Sequence, residues 1–176
     1  MVVPSSSSVL SPPPASAKGK GRTVKQDFVI INQDSGYLMI DIANAAIKRK
    51  DVTLIAGRLV QRNNPLDAKV KCEKIIRYDR LTTFKRLLTW GVAFAQIWFL
   101  IIFRYRLSRL LIVSNPPFAP LLPLFCPNRF TLLIFDVYPD ALVEFGLFSN
   151  RSWIVRLWKS ANRRVFGRAD RIFTIT

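Results

Sequence analysis

Two short apolar runs in the middle of the chain, residues 110–113 (LLIV) and 130–135 (FTLLIF), constrain its fold more than any other feature. Each breaks off abruptly, the first into Ser114-Asn115-Pro116-Pro117 and the second into Asp136-Val137-Tyr138-Pro139-Asp140. A strand with one wet face alternates apolar and polar residues, so runs without alternation suit strands buried on both faces of a parallel sheet. The proline-spaced connection between them, 118–127, has room for a short crossover but not for a generous helix. If both strands point the same way, both turns open at the carboxyl edge of the sheet, where open α/β sheets bind ligands.

The flanking segments agree with that class. Residues 27–32 (DFVIIN) form a β-rich run, and 33–36 (QDSG) a turn whose glycine can take positive φ. From 37 to 50 the spacing of Leu38, Ile42, Ala45 or Ala46, and Ile47 predicts an amphipathic helix, with Lys48-Arg49-Lys50 at its negative end. Residues 52–56 (VTLIA), closed by Gly57, complete a β-α-β unit. Its first turn offers only Gly36 where a dinucleotide fingerprint needs three glycines, which disfavours a dehydrogenase-type NAD site. A basic loop over 57–71 and a short strand over 74–78 (KIIRY) follow.

Residues 87–103 carry no formal charge and are bracketed by Lys85-Arg86 and by Arg104, Arg106 and Arg109. As a helix this stretch is about 25 Å long, the lower limit for a bilayer core. Three readings compete: a buried or interfacial helix of an α/β domain, which leads; a membrane-surface helix anchored by Trp90, Trp98 and the arginines; and a transmembrane span. Thr89, Gly91 and Gln96 weigh against the span, as does basic charge at both ends. Further on, 151–168 predicts a basic amphipathic helix. Trp153, Ile154, Leu157, Trp158, Ala161 and Val165 take one face, and Arg156, Lys159, Arg163 and Arg164 the other. Residues 171–176 (RIFTIT) read as a last strand, and a chain that stops there looks cut at a domain boundary.

The length of 176 residues is about that of one domain, and 50% hydrophobic content is enough to bury a core. A formal charge of +16, from 27 basic and 11 acidic residues, calls for an anionic partner: nucleic acid, the cytoplasmic face of a membrane, or a phosphorylated substrate. No finger, RNP or helix-turn-helix signature appears, and the aromatics sit in apolar runs, so no specific nucleic-acid binding is expected. With no histidine in the chain, a zinc site and a Ser-His or Cys-His nucleophile pair are very unfavourable readings. Cys72 and Cys126 read as small buried hydrophobes in a reducing compartment, with a disulfide the lesser alternative. Residues 1–25 read as a disordered basic Ser/Pro-rich arm, either a weak tether to anionic surfaces or a plain solvated tail. The order of charge and apolar residues there is not that of a secretory signal.

The succession DFVIINQDSGYLMIDIANAAIKRKDVTLIAG, LLIVSNPPF, FTLLIFDVYPDALVEFG and ANRRVFGRADRIFTIT resembles the N-terminal domain of bacterial family-4 glycosyltransferases with the GT-B fold. It is most similar to the branch that builds extracellular polysaccharide and lipid-linked sugars. In that family the FDVYPD position is commonly an Asp-hydrophobic-aromatic-Pro-acidic loop. The last helix and strand commonly read R-R-A-D-x-hydrophobic, here ending in Arg168-Ala169-Asp170-Arg171-Ile172. The resemblance covers residues 27–176. This chain departs from the family in a first loop poorer in glycine, and in having no counterpart of the second domain that grips the nucleotide diphosphate through a Lys/Arg and an E-x7-E arrangement.

The resemblance implies an α/β, Rossmann-like three-layer domain with a mostly parallel sheet, one half of a GT-B fold. It implies the acceptor-binding half of an enzyme that moves a sugar from a nucleotide-sugar donor, held by a missing domain or partner subunit, to a lipid-linked or polysaccharide acceptor. No cofactor is called for, and the place of work would be the cytoplasmic inner face of the membrane, where basic side chains meet anionic lipid. The alternative is a non-catalytic, membrane-peripheral basic protein.

Three loops would converge at one sheet edge. Asp136 is the first choice for a chemical role, orienting or deprotonating an acceptor hydroxyl, although a strand-end or helix-capping aspartate also belongs there. Ser35, Gly36, Ser114, Asn115, Tyr138 and Asp140 are the candidate acceptor-binding residues, with capping the stronger reading for Asp140 and Glu144.

Overall fold

The computed structural model describes residues 27–62 and 64–175; the arm expected over 1–25 lies outside them. Along the chain run β1 (Phe28–Ile31), β2 (Asp34–Ser35), α1 (Tyr37–Ala46), β3 (Val52–Ala56), β4 (Arg58–Leu59), β5 (Lys71–Lys74), α2 (Thr83–Phe103), β6 (Arg109–Val113), a 3-10 helix (Ala119–Leu124), β7 (Phe130–Ile134), α3 (Asp140–Glu144), α4 (Trp153–Phe166) and β8 (Arg171–Thr174). Six of the strands form one sheet in the order β5-β3-β1-β6-β7-β8, and every pairing in it is parallel.

The absence of alternation in the strands has the expected cause. Val29, Ile31, Leu110, Ile112, Leu132 and Ile134 point to one face, where they pack with Ala93, Ile97 and Ile101 of α2, Leu122 of the 3-10 helix and Val165 of α4. Ile30, Leu54, Leu111 and Val113 point to the other, against Met39, Ala43 and Ile47 from α1 and its end. Each fully buried side chain of this kind contributes about 1.5–3 kcal/mol. The result is a three-layer Rossmann-like α/β domain, as the sequence predicts.

Chain order sets the site. From β1 the chain moves outward through α1 to β3 and then β5; α2 then carries it back across to β6 on the other side of β1. The strand order therefore reverses between β1 and β6, and the loops leaving their carboxyl ends diverge to leave a crevice.

Several boundaries differ from expectation. The strand expected at 74–78 lies at Lys71–Lys74, paired with Thr53–Ala56, and only the Ile75 amide, donating to Ala56 O at 3.2 Å, extends the ladder. Beyond it the chain passes so close to Gly57 that a Cβ there would lie 2.3 Å from Ile76 O. Helix α1 ends at Ala46, so the cations at 48–50 follow it instead of occupying its last turn; Lys50 Nζ sits over the Phe28 ring, 4.9 Å from its centre. A second, two-stranded parallel pair, β2 with β4, was not anticipated. Helix α2 begins earlier than the apolar run, because Thr82 caps it by accepting from the Lys85 amide at 3.2 Å. Helix α4 buries Val155, Trp158, Asn162 and Val165, leaving Trp153, Ile154 and Leu157 exposed. Cys126 is buried as expected, whereas Cys72, on the edge strand, is exposed; both are free thiols.

Candidate functional site

Gln33 holds the crevice together. It follows β1 by two residues, is 0% exposed, and bonds through its amide, its carbonyl and its side-chain nitrogen. Its amide donates to Asn115 O (2.9 Å), and its carbonyl accepts from the Gly57 (2.8 Å) and Arg58 (3.0 Å) amides. Its side-chain Nε2 donates to Ile76 O and Thr89 O, both at 3.2 Å. The turns after β1, β3 and β6 are thereby fixed to the segment entering α2.

Between that segment and the ends of β6 and β7 lies a cleft of ≈ 360 Å³. Arg80, Arg86 and Trp90 line it from the α2 side, and Asn115, Asp136 and Tyr138 from the sheet edge. Arg86 and Trp90, one turn apart on α2, face it together. Arg80 is steadied by Asp34, whose carboxylate takes Arg80 at 2.9 Å and Arg58 at 3.0 Å, and by the Tyr78 ring beneath its guanidinium. Aromatic rings form a chain around the cleft: Tyr78 stacks on Trp90 (5.5 Å), Trp90 meets Phe118 edge-on (6.4 Å), Phe118 stacks on Trp158 (4.8 Å), and Trp158 on Tyr138 (6.4 Å). Arg86 Nε and Trp90 Nε1 are buried donors without a hydrogen-bond partner among the described residues. Trp90 as a whole is only 5% exposed.

Burial, and then the Asp136 charge, push the Tyr138 phenol up to about 12 against the nearby Arg86 cation, which pulls it down. Tyr138 is therefore a neutral hydroxyl donor at any physiological pH. Because its folded value lies above the ordinary 10.0, its contribution to stability is intact below about pH 10 and is lost as pH rises toward about 12. An alkaline phenolate titration followed by ultraviolet absorbance should show one tyrosine ionising late, and its loss in Tyr138→Phe identifies it; an unchanged titration in that variant would contradict the assignment.

No protein-family model matches this chain, and no curated protein matches its sequence. What the cleft can do must be read from its own chemistry. Two guanidiniums on one wall suit a phosphate or diphosphate. An exposed carboxylate opposite suits a hydroxyl. The aromatic side chains of Phe135 and Tyr138 beside them suit an apolar part of a sugar or a prenyl unit.

The expected residues divide. Asp136 lies in the cleft with its side chain exposed, as do Asn115 and half-buried Tyr138. Ser114 also lines it, but its Oγ accepts from the Phe135 (2.9 Å) and Asp136 (3.4 Å) amides, so the hydroxyl holds the β7 turn in place. Ser35 is buried and donates to Asn32 O at 2.9 Å, and does not line the cleft. Gly36 starts α1 at φ −98°, outside the positive-φ region its turn had suggested, with open space where a Cβ would sit. Asp140 stands in the first turn of α3 and pairs with Lys159 at 2.7 Å, away from the cleft. Tyr78, Arg80, Arg86 and Trp90 were missed. The signal available for the last two was their i, i+4 spacing, an arginine and a tryptophan on one helical face.

Proposed function

We propose that this chain is the acceptor-binding half of a glycosyltransferase that moves a sugar from a nucleotide-sugar to a lipid-linked or saccharide acceptor. The activated sugar is held by a further domain or a partner subunit, and the chain by itself does not catalyse transfer. The observation that carries the reading is the placement of Asp136 across one switch-point cleft from Arg80 and Arg86. Arg80 and Arg86 bind the acceptor's phosphate, and Asp136 takes the proton of the attacking hydroxyl. Closure by the donor domain would exclude water from the transfer.

Geranyl diphosphate, a soluble mimic of a lipid diphosphate, tests the phosphate end by calorimetric titration. Binding is expected, with Arg80→Ala and Arg86→Ala each weakening it about tenfold or more through the lost charged hydrogen bonds. No binding, or binding indifferent to both changes, would remove the basis for an acceptor site. The non-catalytic membrane-peripheral alternative would then lead, favoured by the exposed apolar side of α2.

A further inference from the structure

We infer that the outer surface of the layer containing α2 and α4 seats on an anionic lipid bilayer, with α2 lying along the membrane plane. The inference does not depend on sugar transfer. Helix α2, 21 residues or about 31 Å long, has the length and apolarity to cross a bilayer. Its packing forbids that. Thr89, Trp90, Ala93, Ile97 and Ile101 are buried on one side of it, the last three fully and in the same cluster as β1, β6 and β7 side chains. A helix fixed to the sheet in this way cannot be surrounded by lipid.

Among the described residues, the opposite side is left largely uncovered. Phe84 (75% exposed), Leu88, Phe99 and Phe103 (70%) fall within about 100° of helical arc and run the full length of α2. On α4, in the same layer, Trp153 (72%) and Leu157 (62%) are exposed beside Arg156 and Arg163, with Phe125 exposed at the end of the 3-10 helix that lies against both helices. Monomers in water seldom present an apolar surface of this extent.

Charge selects the occupant. Neither α2 nor α4 contains an acidic residue, while Lys85, Arg156, Arg163 and Arg164 are basic and exposed. A second copy docked through the same surface would oppose like charges across a two-fold axis. An anionic bilayer answers both features: its acyl boundary takes the aromatic stripe and its head groups take the cations.

The test is co-sedimentation of the full chain with phosphatidylcholine vesicles, with and without phosphatidylglycerol. Binding to the anionic vesicles is expected. Phe84→Glu, Phe99→Glu and Phe103→Glu together, all on exposed positions, should lower the partition coefficient about a hundredfold with an unchanged circular dichroism spectrum. Arg156→Glu with Arg163→Glu should lower it about tenfold and flatten its salt dependence. Equal binding by the wild type and the phenylalanine variant would assign attachment to net charge alone and overturn the proposal. Absence of binding would overturn it too, as would resistance to alkaline carbonate extraction, which marks a spanning helix. A soluble dimer dissolved by the phenylalanine changes would give the surface to a second copy.

Discussion

Replacing Asp136 with asparagine is expected to reduce sugar transfer by about a thousandfold in kcat, while acceptor affinity stays within about twofold. In the proposed reaction the acceptor oxygen bonds to the anomeric carbon as that carbon's bond to the phosphate oxygen breaks. The electron pair leaves on the nucleoside diphosphate, and the hydroxyl proton goes to the Asp136 carboxylate. Asparagine has the same shape and can still hydrogen-bond the hydroxyl, but it cannot take the proton. The structural duty of position 136 passes through its backbone amide, which donates to Ser114 Oγ at 3.4 Å and survives the substitution. Thermal unfolding should therefore be unchanged, and the loss should appear in kcat and not in KM. The assay needs the donor-binding domain or subunit. Activity within tenfold of wild type would show that Asp136 is only a strand-end residue and would leave the transfer reading without its base.

What could be read from the sequence, and what could not, follows from where each element sits in the layers. The runs at β6 and β7 were legible because helices on one side and α1 on the other bury both faces, which removes alternation. Strand β5 was displaced in the reading because it is the sheet edge: Lys71, Cys72 and Lys74 are exposed, so no apolar run marks it. The single apolar face expected on α4 is split in the structure for a different reason. Large apolar side chains lie on both sides of that helix, and Trp153 and Leu157 face outward among arginines. The inner side includes polar Asn162, whose side chain is satisfied by donating to the Tyr138 carbonyl.

The site divides along the same line. Turns after β1, β6 and β7 announce themselves as polar breaks following apolar runs, so Asn115, Asp136 and Tyr138 were found. Arg80, Arg86 and Trp90 arrive by the long crossover from β5 to β6, and nothing local in 78–90 tells which sheet edge that segment will meet. The hydroxyls of Ser35 and Ser114 looked like ligand groups, but tight turns at strand ends use such hydroxyls for their own backbone.

The single residue on which both the fold and the cleft turn is Gln33, and Gln33→Glu is expected to cost about 3–5 kcal/mol of stability at neutral pH. The two side chains have the same size, so no cavity forms. The wild-type Nε2 lies 3.2 Å from both Ile76 O and Thr89 O, and a carboxylate oxygen there would face two carbonyl oxygens. Oε1 already lacks a partner, so the new charge would be fully buried with nothing to compensate it. Burial raises a carboxyl's pKa in the folded state, so the sign of the pH dependence is fixed. The variant should approach wild-type stability only in acid, where the protonated group can donate to one of the two carbonyls, and should lose it as pH rises through the folded pKa. Urea unfolding near pH 7 and at about pH 4 measures both limbs. Because the lost bonds anchor the segment carrying Tyr78, Arg80 and Trp90, geranyl diphosphate binding should weaken in the folded fraction as well. A Gln33→Glu variant as stable as wild type at neutral pH would mean that the Gln33 side-chain amide does not tie the α2 approach to the sheet, and that the Asp34 ion pairs and the aromatic chain hold that wall instead.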